Sequence, residues 1–567
     1  MSFRYSIFAV FVLLMGCTQL GLHPSILKAP SQKSGPQQLP PRAEAYYDYL
    51  TAQYYLRSNK ISEAIDAYDR ALKKDPNSVT LLTELATLYI RLGKVENALK
   101  LAEEATKSSP TYEPTYMLLG QLYASVGQND KAINAYEHAI KLDPTNEDAY
   151  LLLGTLYAQI GRFADAMSTF DRLGKLLPDS SIALYYKARV FLDMKFYKQA
   201  EAMYQQAISA DPTLENAWLD LAYIYEVTDR MPEAEKTYRR ILSFNPVSAQ
   251  ARTRLGNLFM RENKLDDALV QFTQLIQRNP KDLESRLKVG IIHLQQKKYD
   301  DAVLDFTCIL KDQPQNDQAL YFMGSAYEDK GDADLAIRNY QQVSTNSPLW
   351  TSSQVRLALN YSKAKDLQKG VGILQALIAK QPEATEPYLY LGILYEEQKQ
   401  YDDAIRALDA GIQKAPQDVD LLFRKGVVLD KLNQKTEAIQ VMERVLQIEP
   451  RNANALNYIG YTYADLGINL VEARRMIKAA MELQPEDGYI MDSLAWLYYR
   501  QGQLKKALET ILQAIKYVPR DPVIQEHLGD IYQSLGQKNK ATEAYLRALE
   551  YQHTEPEKIN EKLRQLK

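Results

Sequence analysis

The sequence predicts an all-α protein built from about fifteen consecutive pairs of helices, and regularities in its 567 residues support that fold class. A proline recurs at thirteen intervals, twelve of 34 residues and one of 35. The recurring prolines are residues 76, 110, 144, 178, 212, 246, 280, 314, 348, 382, 416, 450, 485 and 519. In units aligned on these prolines, the eighth residue is always Ala or Gly, and the twentieth is Ala except at Gly370 and in unit 13, whose extra residue moves the alanine to Ala473. A period of this length indicates a repeat protein.

Each unit is expected to contain two amphipathic helices. Positions 4, 7, 8 and 11 share one face of a first helix, and positions 20, 24 and 27 share one face of a second. Small residues at positions 8 and 20 let the helices approach, and the Tyr common at position 11 is expected to fill the space beside them. Proline at position 32 ends the second helix because it lacks an N–H group. Position 34 offers an N-cap for the next unit in ten cases: Ser78, Asn146, Ser180, Ser248, Asp282, Asn316, Asp418, Asn452, Asp487 and Asp521.

The pattern resembles the tetratricopeptide repeat. A representative unit reads Tyr116, Leu119, Gly120, Tyr123, Ala132, Tyr136, Ala139 and Pro144. The resemblance implies a right-handed α-solenoid of about fifteen helix-turn-helix units over residues 45–553. Residues 554–567 are expected to form a C-terminal capping helix, because Ile559, Leu563 and Leu566 mark one apolar stripe and Thr554 with Glu557 forms a capping box.

The N-terminus predicts export and a lipid anchor. Residues 1–16 combine Arg4 with an apolar run that is too short to span a membrane, as in a secretory signal peptide. Leu14-Met15-Gly16-Cys17 resembles a bacterial lipobox, which implies lipidation of Cys17 with acyl chains such as palmitate. A residue other than Asp after the cysteine favours an outer-membrane location facing the periplasm, and this chain has Thr18. Residues 17–44 are rich in Pro and Gly and are expected to be a flexible tether.

Composition and motifs exclude several classes of function. The 68 Lys and Arg against 71 Asp and Glu give a net charge of −3, so there is no basic excess for binding nucleic acid. The five histidines lie in different parts of the chain without the spacing of metal ligands, and no GxxxxGK[ST], GxSxG or HExxH string occurs. Cys308 lies in a second helix and is expected to be a small buried thiol. We therefore expect no enzyme activity, no cofactor and no metal.

The resemblance places a partner-binding groove on the concave side, which in this family is lined by first-helix positions 2, 5, 9, 12 and 13. Positions 5 and 9, with one Arg at position 13, supply an apolar and aromatic lining of the kind that anchors protein interfaces. The expected groove residues are Tyr185, Arg189, Tyr223, Leu287, Ile291, Tyr321, Leu359, Leu389, Ile393, Phe423, Val427, Tyr461, Trp496 and Arg500. Packing of such residues against neighbouring helices is the alternative for each of them. Arg189, Arg424 and Arg500 are candidates for orienting a carboxylate.

The last three units carry a narrower resemblance. Asn457 to Leu470 and Asp487 to Leu494 are similar to bacterial tetratricopeptide lipoproteins, some of which act as outer-membrane adaptors of carboxy-terminal processing proteases. This implies a scaffold that binds envelope proteins or peptides in its groove and recruits a periplasmic protease. The alternative is a structural component of a pilus, secretion or polysaccharide-export machine. The identity of the partner, its peptide or folded form, the oligomeric state and the choice between inner and outer membrane stay open.

Two units depart from the repeat. Unit 10 has glycines at 370 and 372, and glycine in a helix interior costs about 1 kcal/mol, so we expect the array to bend or open there. Unit 13 carries its extra residue in Gly467-Ile468-Asn469-Leu470, which should lengthen the turn between its helices.

Overall fold

The computed structural model describes residues 40–178 and 180–566, and in these residues the regular structure is thirty-one α-helices with no strand. The signal peptide, Cys17 and nearly all of the expected tether lie outside the described residues. Internal contacts divide the chain into two bodies, Met1–Asp229 and Arg230–Lys567. Each body is described by itself below.

The N-terminal body contains α1 to α11. Their bounds are Pro41–Arg57, Ile61–Lys74, Val79–Arg91, Val95–Ser108, Glu113–Ser125, Asn129–Leu142, Glu147–Gln159, Phe163–Leu176, Ser181–Asp193, Tyr197–Ala210 and Glu215–Val227. Odd-numbered helices are the first helices of their units and even-numbered helices are the second. The first helices α1, α3, α5, α7 and α9 pack on the second helix of their own unit, as α1 does on α2. The first helices from α3 to α11 also pack on the second helix of the unit before.

The C-terminal body contains α12 to α31. Their bounds are Met231–Phe244, Ala249–Arg261, Leu265–Arg278, Leu283–Gln295, Tyr299–Asp312, Asp317–Lys330, Ala333–Gln342, Trp350–Lys363, Leu367–Lys380, Glu386–Glu397, Tyr401–Lys414, Val419–Lys431, Lys435–Ile448, Ala453–Leu466, Leu470–Leu483, Gly488–Arg500, Leu504–Tyr517, Pro522–Ser534, Lys538–Glu550 and Pro556–Leu566. First helices of successive units, such as α19, α21 and α23, also contact one another. The predicted all-α fold of stacked helical hairpins is confirmed.

The helix ends follow the expected chemistry closely. Nine of the ten predicted N-cap side chains accept a backbone N–H bond in the first turn of the next helix, and Ser78 is the exception. The turn within each unit has a left-handed residue at position 15. Seven of these are glycines and eight are Asn59, Lys195, Asp229, Asn263, Lys297, Lys365, Lys399 and Asn433. A left-handed residue is a common way to end a helix, and only glycine adopts it without cost.

The core within a unit is built around position 24 of the second helix rather than position 11 of the first. The fully buried large rings include Tyr68, Phe170, Tyr204, Tyr238, Phe272, Phe306, Tyr340 and Tyr545, all at position 24. Where position 8 is glycine, the missing side chain makes room for the ring: a Cβ on Gly154 would lie 2.4 Å from Cζ of Phe170. The position-11 tyrosines pack beside this space, and four of them are buried: Tyr123, Tyr157, Tyr225 and Tyr361. Some lie under a cation, as Tyr361 does with Lys369 Nζ at 4.2 Å from its ring centroid.

The first described helix begins before the expected boundary. Helix α1 starts at Pro41, four residues ahead of Ala45, with Pro40 as its N-cap. Proline suits the first position of a helix because the N–H it lacks would have no partner there. The last helix, α31, packs on α30 with Ile559 fully buried and Leu566 nearly so, as its apolar stripe predicted.

One helix of the array is shorter than the others in its position, and it lies directly before unit 10. Helix α18 has ten residues and ends at Gln342, and Ser353 Oγ donates to the carbonyl oxygen of Tyr340 near that end. Helix α20 continues through both glycines of unit 10. A Cβ on Gly370 would lie 2.7 Å from the Ala358 carbonyl oxygen, so glycine permits a close helix approach there. The bending or opening of unit 10 stays a prediction.

The longer turn of unit 13 contains two left-handed residues, Gly467 and Asn469, with φ of 72° and 47°.

Cys308 is exposed rather than buried, because Phe306 and Ile309 are the residues of α16 that face the core. Among the described helices, none combines the length and the apolar character that crossing a bilayer requires.

Candidate functional site

The candidate site is the first-helix face, defined here as the side of the units that carries positions 5, 9, 12 and 13 of the first helices. Of the predicted groove residues, Tyr223 and Arg500 are exposed, with Tyr223 at 41%. Tyr185 and Trp496 are each only 9% exposed. The others are half-buried: Arg189, Leu287, Ile291, Tyr321, Leu359, Leu389, Ile393, Phe423, Val427 and Tyr461. Cys17 lies outside the described residues.

The burial of the position-5 aromatics has a simple cause. Tyr185 and Tyr321 each pack against the position-24 ring of their own unit, with ring centroids 5.9 Å from Tyr204 and 5.7 Å from Tyr340. The ring at position 24 reaches the first-helix face from below, so an aromatic residue at position 5 lies on it. Packing within the array, the alternative weighed for these residues, therefore accounts for much of their apolar surface.

A hollow of about 470 Å³ opens on the first-helix face of the N-terminal body, between α7 and α9. Helix α7 contributes Thr155, Ala158 and Gln159, and α9 contributes Tyr186, Arg189, Val190 and Asp193, with Phe170 of α8 at the base. Of these residues the sequence singled out Arg189 alone. The others were missed because positions 5 and 9 were searched for apolar side chains. Thr155 is a polar residue at position 9, and the remaining first-helix residues of the hollow lie at positions 6, 10, 12 and 13.

The charges in the hollow are set by burial and by neighbours. Burial alone lowers the pKa of Arg189, but Tyr185 and Asp220 raise it above its ordinary value, so the guanidinium stays charged. Burial raises the pKa of Asp193, against the opposing effect of Arg189. Tyr186 stacks on Phe170 with centroids 5.5 Å apart. The hollow thus offers a cation, an aromatic ring and the exposed amide of Gln159, which are groups that bind extended peptide well.

On the C-terminal body, charged side chains of the first helices pair between adjacent units. Glu328 Oε1 lies 2.8 Å from Lys363 Nζ and 3.4 Å from Arg356 Nη1. Glu396 repeats the arrangement with Lys431 at 2.6 Å and Arg424 at 3.3 Å. The acid is at position 12 and the two bases are at positions 6 and 13 of the next unit. Arg424 is therefore already paired with a carboxylate of the chain itself.

Arg500 also has an internal partner. Its guanidinium donates to the backbone carbonyl oxygen of Asp465, at the start of the lengthened turn of unit 13. The side chain of Arg500 remains exposed, whereas Arg189 lines the hollow and already interacts with Asp193 and Asp220.

A buried ionic cluster occupies the first helices of units 14 and 15. His527 Nδ1 lies 2.9 Å from Asp492 Oδ1, and its ring stacks on Trp496 with centroids 4.1 Å apart. Burial alone lowers the pKa of His527, but the carboxylates of Asp492, Glu526 and Asp530 raise it above its ordinary value. His527 looks isolated in the sequence because its partner, Asp492, lies 35 residues earlier, in the preceding unit.

The same region fastens the last helix. Glu526 is 5% exposed and lies 2.6 Å from Lys562 Nζ and 3.2 Å from Lys558 Nζ. Burial alone raises the pKa of Glu526, but these two lysines lower it to about 2. Lys562 also contacts Asp530 at 2.7 Å. This end of the array is thus held by charge pairs that are largely removed from water, and its role is structural.

The arrangement of titratable groups does not form a metal centre. In residues 40–178 and 180–566, no three His, Cys, Asp or Glu side chains are placed together so that they could hold a metal ion.

Known protein families match most of the array. A family model described as the Psidin N-terminal TPR repeats region matches residues 52–175. Three models described as tetratricopeptide repeat match the later units: one at residues 191–258, a second at 253–307, 355–419, 391–453 and 493–556, and a third at 317–348.

Individual relatives share the repeat over limited lengths or at low identity. A stretch of 56 residues is 50% identical to the TPR repeat-containing protein PA4667 of Pseudomonas aeruginosa, and it spans 10% of this chain and 10% of that protein. Among solved structures, Naa15/Naa10 bound to HypK-THB covers 92% of this chain and 96% of its own at 14% identity, with a TM-score of 0.33. The APC/C hetero-tetramer Cut9-Hcn1 covers 80% and 96% at 14% identity, with a TM-score of 0.35.

A tetratricopeptide repeat protein from Parabacteroides merdae is 18% identical, covers 44% of this chain and 99% of its own, and has a TM-score of 0.38. At these TM-scores the structural likenesses carry no argument about function. The 34-residue period, the stacked helical hairpins and the matching family models together identify the chain as a tetratricopeptide repeat protein.

Proposed function

We propose that this protein is a lipid-anchored scaffold of the bacterial envelope that binds partner proteins or peptides on its first-helix face. Tetratricopeptide repeat proteins bind other proteins, and the lipobox at Cys17 supports the anchor. The proposed location is the outer membrane, with the repeats in the periplasm. No catalytic step is part of the proposal.

The hollow between α7 and α9 is the observation that carries the binding role. It is open, it has a volume of about 470 Å³, and it contains a charged guanidinium beside an aromatic ring. Arg189 can pair with a carboxylate of the partner, and Tyr186 offers a flat surface for an apolar side chain. An extended peptide suits a hollow that runs between two helices better than a broad folded surface does.

Recruitment of a carboxy-terminal processing protease is the specific role we propose. It rests on the similarity of units 13 to 15 to bacterial tetratricopeptide lipoproteins. Delivery of substrates to a protease requires reversible binding of changing partners, whereas a component of a pilus, secretion or polysaccharide-export machine would hold one partner permanently. Co-purification of the chain with one partner at a fixed stoichiometry would favour the second role.

The binding role is tested by filling the hollow. The full chain with a C-terminal affinity tag is expressed with its own N-terminus, and its complexes are extracted from membranes in mild detergent and identified by mass spectrometry. Gln159→Trp places an indole over the hollow from an exposed position, and Gln206→Trp, on the exposed side of α10, is the matched control. We expect Gln159→Trp to lose a periplasmic partner that the control retains.

Two outcomes would overturn parts of the proposal. Capture of the same proteins by both variants would show that the hollow is not the binding site. The parent chain should incorporate labelled palmitate and the Cys17→Ser chain should not, and equal incorporation by both would refute lipidation at that residue.

A further inference from the structure

The first helix of the array exposes an unusually apolar face. On α1, Tyr46, Tyr47, Leu50 and Tyr54 are 61%, 68%, 49% and 66% exposed. They are spaced so that they share one side of the helix. We call this set of four side chains the α1 stripe. In monomeric soluble proteins, contiguous apolar surface of this kind marks an interaction site.

The repeat shows what normally happens on this side of a first helix. Positions 3 and 10 are buried in all of units 2 to 15, for example Leu81 and Leu88 in unit 2, because they pack on the second helix of the preceding unit. In unit 1 these positions are Tyr47 and Tyr54. Terminal repeats of a solenoid usually present a polar outer face, whereas this one presents large aromatic rings.

The charges around the α1 stripe are positive. Arg42 and Arg57 lie at the two ends of the helix and Lys60 follows it, and all three are exposed. Both carboxylates of α1 are engaged elsewhere, since Glu44 pairs with Lys74 at 3.2 Å and the buried Asp48 pairs with Lys74 at 2.8 Å. The exposed side of α1 thus combines tyrosine, leucine and cations, which is the composition of helices that lie in a membrane interface.

The position in the chain also favours a membrane. Cys17 precedes α1 by 24 residues, and the tether that the sequence predicts there would span roughly 25 Å on average. A chain anchored at Cys17 would therefore keep α1 within reach of the lipid headgroups.

We propose that the α1 stripe docks on the headgroup region of the bilayer, with its tyrosines at the interface and Arg42, Arg57 and Lys60 on anionic lipids. This proposal deepens the proposed function, since it rests on the lipid anchor, and it makes α1 a second point of attachment. Docking by α1 would also fix the orientation of the first unit relative to the membrane.

The test uses the full lipidated chain with Cys308→Ser and Ser58→Cys, labelled at position 58 with an environment-sensitive nitrobenzoxadiazole dye. Ser58 is exposed and follows α1 directly. The protein is reconstituted into vesicles of phosphatidylethanolamine and phosphatidylglycerol, and in parallel into vesicles of phosphatidylcholine. Tyr47→Ser/Leu50→Ser/Tyr54→Ser removes the α1 stripe, and Val247→Ser/Val270→Ser/Leu304→Ser removes three exposed apolar residues elsewhere.

We expect the dye emission to rise and shift to the blue on reconstitution, more strongly with phosphatidylglycerol, and to do so equally in the control triple variant. The α1 triple variant should lose the rise in dye emission. In a Cys17→Ser background, which lacks the lipid, it should partition into vesicles at least about tenfold more weakly than the chain that carries Cys17→Ser alone. An unchanged dye signal in a chain that still floats with the vesicles would overturn the docking of α1. Loss of flotation by the lipidated chain would instead refute the anchor. A stable dimer of the Cys17→Ser chain that the α1 triple variant abolishes would show that the stripe binds a second copy, and this also overturns the proposal.

Discussion

The indole of Trp496 stacks on the imidazole of His527 with ring centroids 4.1 Å apart and planes inclined by 19°. The two residues belong to the first helices of units 14 and 15, so the stack joins neighbouring repeats on the first-helix face. Asp492 Oδ1 lies 2.9 Å from Nδ1 of the same imidazole ring. Trp496, which was predicted to bind a partner, therefore lies where its fluorescence can report the charge of buried His527.

We expect Trp496 fluorescence to report the protonation of His527. The pKa of His527 is raised above its ordinary value of 6.5, so the ring is protonated at pH 6.5 and quenches the indole. In a Trp218→Phe/Trp350→Phe background, emission should rise with pH through a midpoint above 6.5. A raised pKa also means that His527 stabilises the fold below pH 6.5 and that this contribution is lost as the pH rises through its folded-state pKa.

His527→Gln is the control for that titration, because it keeps a polar side chain of similar reach but cannot change its charge. Its emission should be independent of pH in this range. A midpoint below 6.5 in the parent, or an identical titration in the variant, would contradict the assignment of the cluster.

The two glycines of unit 10 should respond oppositely to alanine. Gly370→Ala places Cβ 2.7 Å from the Ala358 carbonyl oxygen, and we expect it to cost about 2 kcal/mol. Gly372→Ala meets nothing within 4 Å and should stabilise α20 by up to about 1 kcal/mol. Amide exchange across residues 351–380 measures both changes.

Opening of unit 10 is tested in the parent chain. Amide exchange across residues 351–380 should be faster than exchange in unit 4, and equal protection of the two segments would refute the opening.

Lysine in a left-handed turn position destabilises the fold, because its Cβ disfavours that backbone conformation. Replacement by glycine should remove this cost. Lys195 has φ of 60° between α9 and α10, and its counterpart in the preceding unit is Gly161 with φ of 77°. Lys195→Gly should stabilise unit 5 by about 1 kcal/mol, and Gly161→Ala should destabilise unit 4 by a similar amount. Denaturant unfolding of both variants provides the measurement, and destabilisation by Lys195→Gly would contradict the stated role of position 15.

Lys562 is expected to hold α31 in place. Lys562→Met leaves Glu526 and Asp530 without their shared cation, and the cost should be about 2 kcal/mol because Lys558 still reaches Glu526. Lys558→Met is the matched control, and its effect should be smaller because 54% of that side chain is exposed. Amide exchange of α30 and α31 reports both, and equal effects of the two variants would contradict the assigned role.

The same cluster predicts a response to acid. The pKa of Glu526 is lowered to about 2 from an ordinary value of 4.5, so its contribution is present above pH 4.5 and is lost as the pH falls through about 2. Exchange of α31, corrected for intrinsic rates, should therefore stay protected at pH 4 in the parent.

The repeat made the fold predictable because its signals are redundant. Proline at position 32, the caps at position 34 and the small residues at positions 8 and 20 each specify the same helix ends and the same close approach. The shortening of α18 was not predictable, since Pro348 keeps its regular place and the helix ends six residues before it. The change depends on a tertiary bond from Ser353 to the Tyr340 carbonyl oxygen, which has no local signal.

The candidate site was harder to predict than the fold. A face can be located from helical period, but the exposure of a residue on it depends on what lies beneath. Tyr185 is covered because Tyr204 supports it from the second helix, whereas Tyr223, at position 9 of the next unit, stays open. Partners one unit apart, such as Asp492 and His527, become visible only when residues about 34 apart are compared.

Crosslinking from the first-helix face in intact cells shows whether partner proteins bind on this face. A photoreactive amino acid is placed at Gln159 or at Tyr223, both exposed on that face, and at Gln206 on α10 as a control. Adducts are identified by mass spectrometry after irradiation. We predict that the first two positions capture the same periplasmic partner and that position 206 does not. Adducts that are absent from the first-helix positions, or equally abundant at position 206, would contradict a binding scaffold that works through this face.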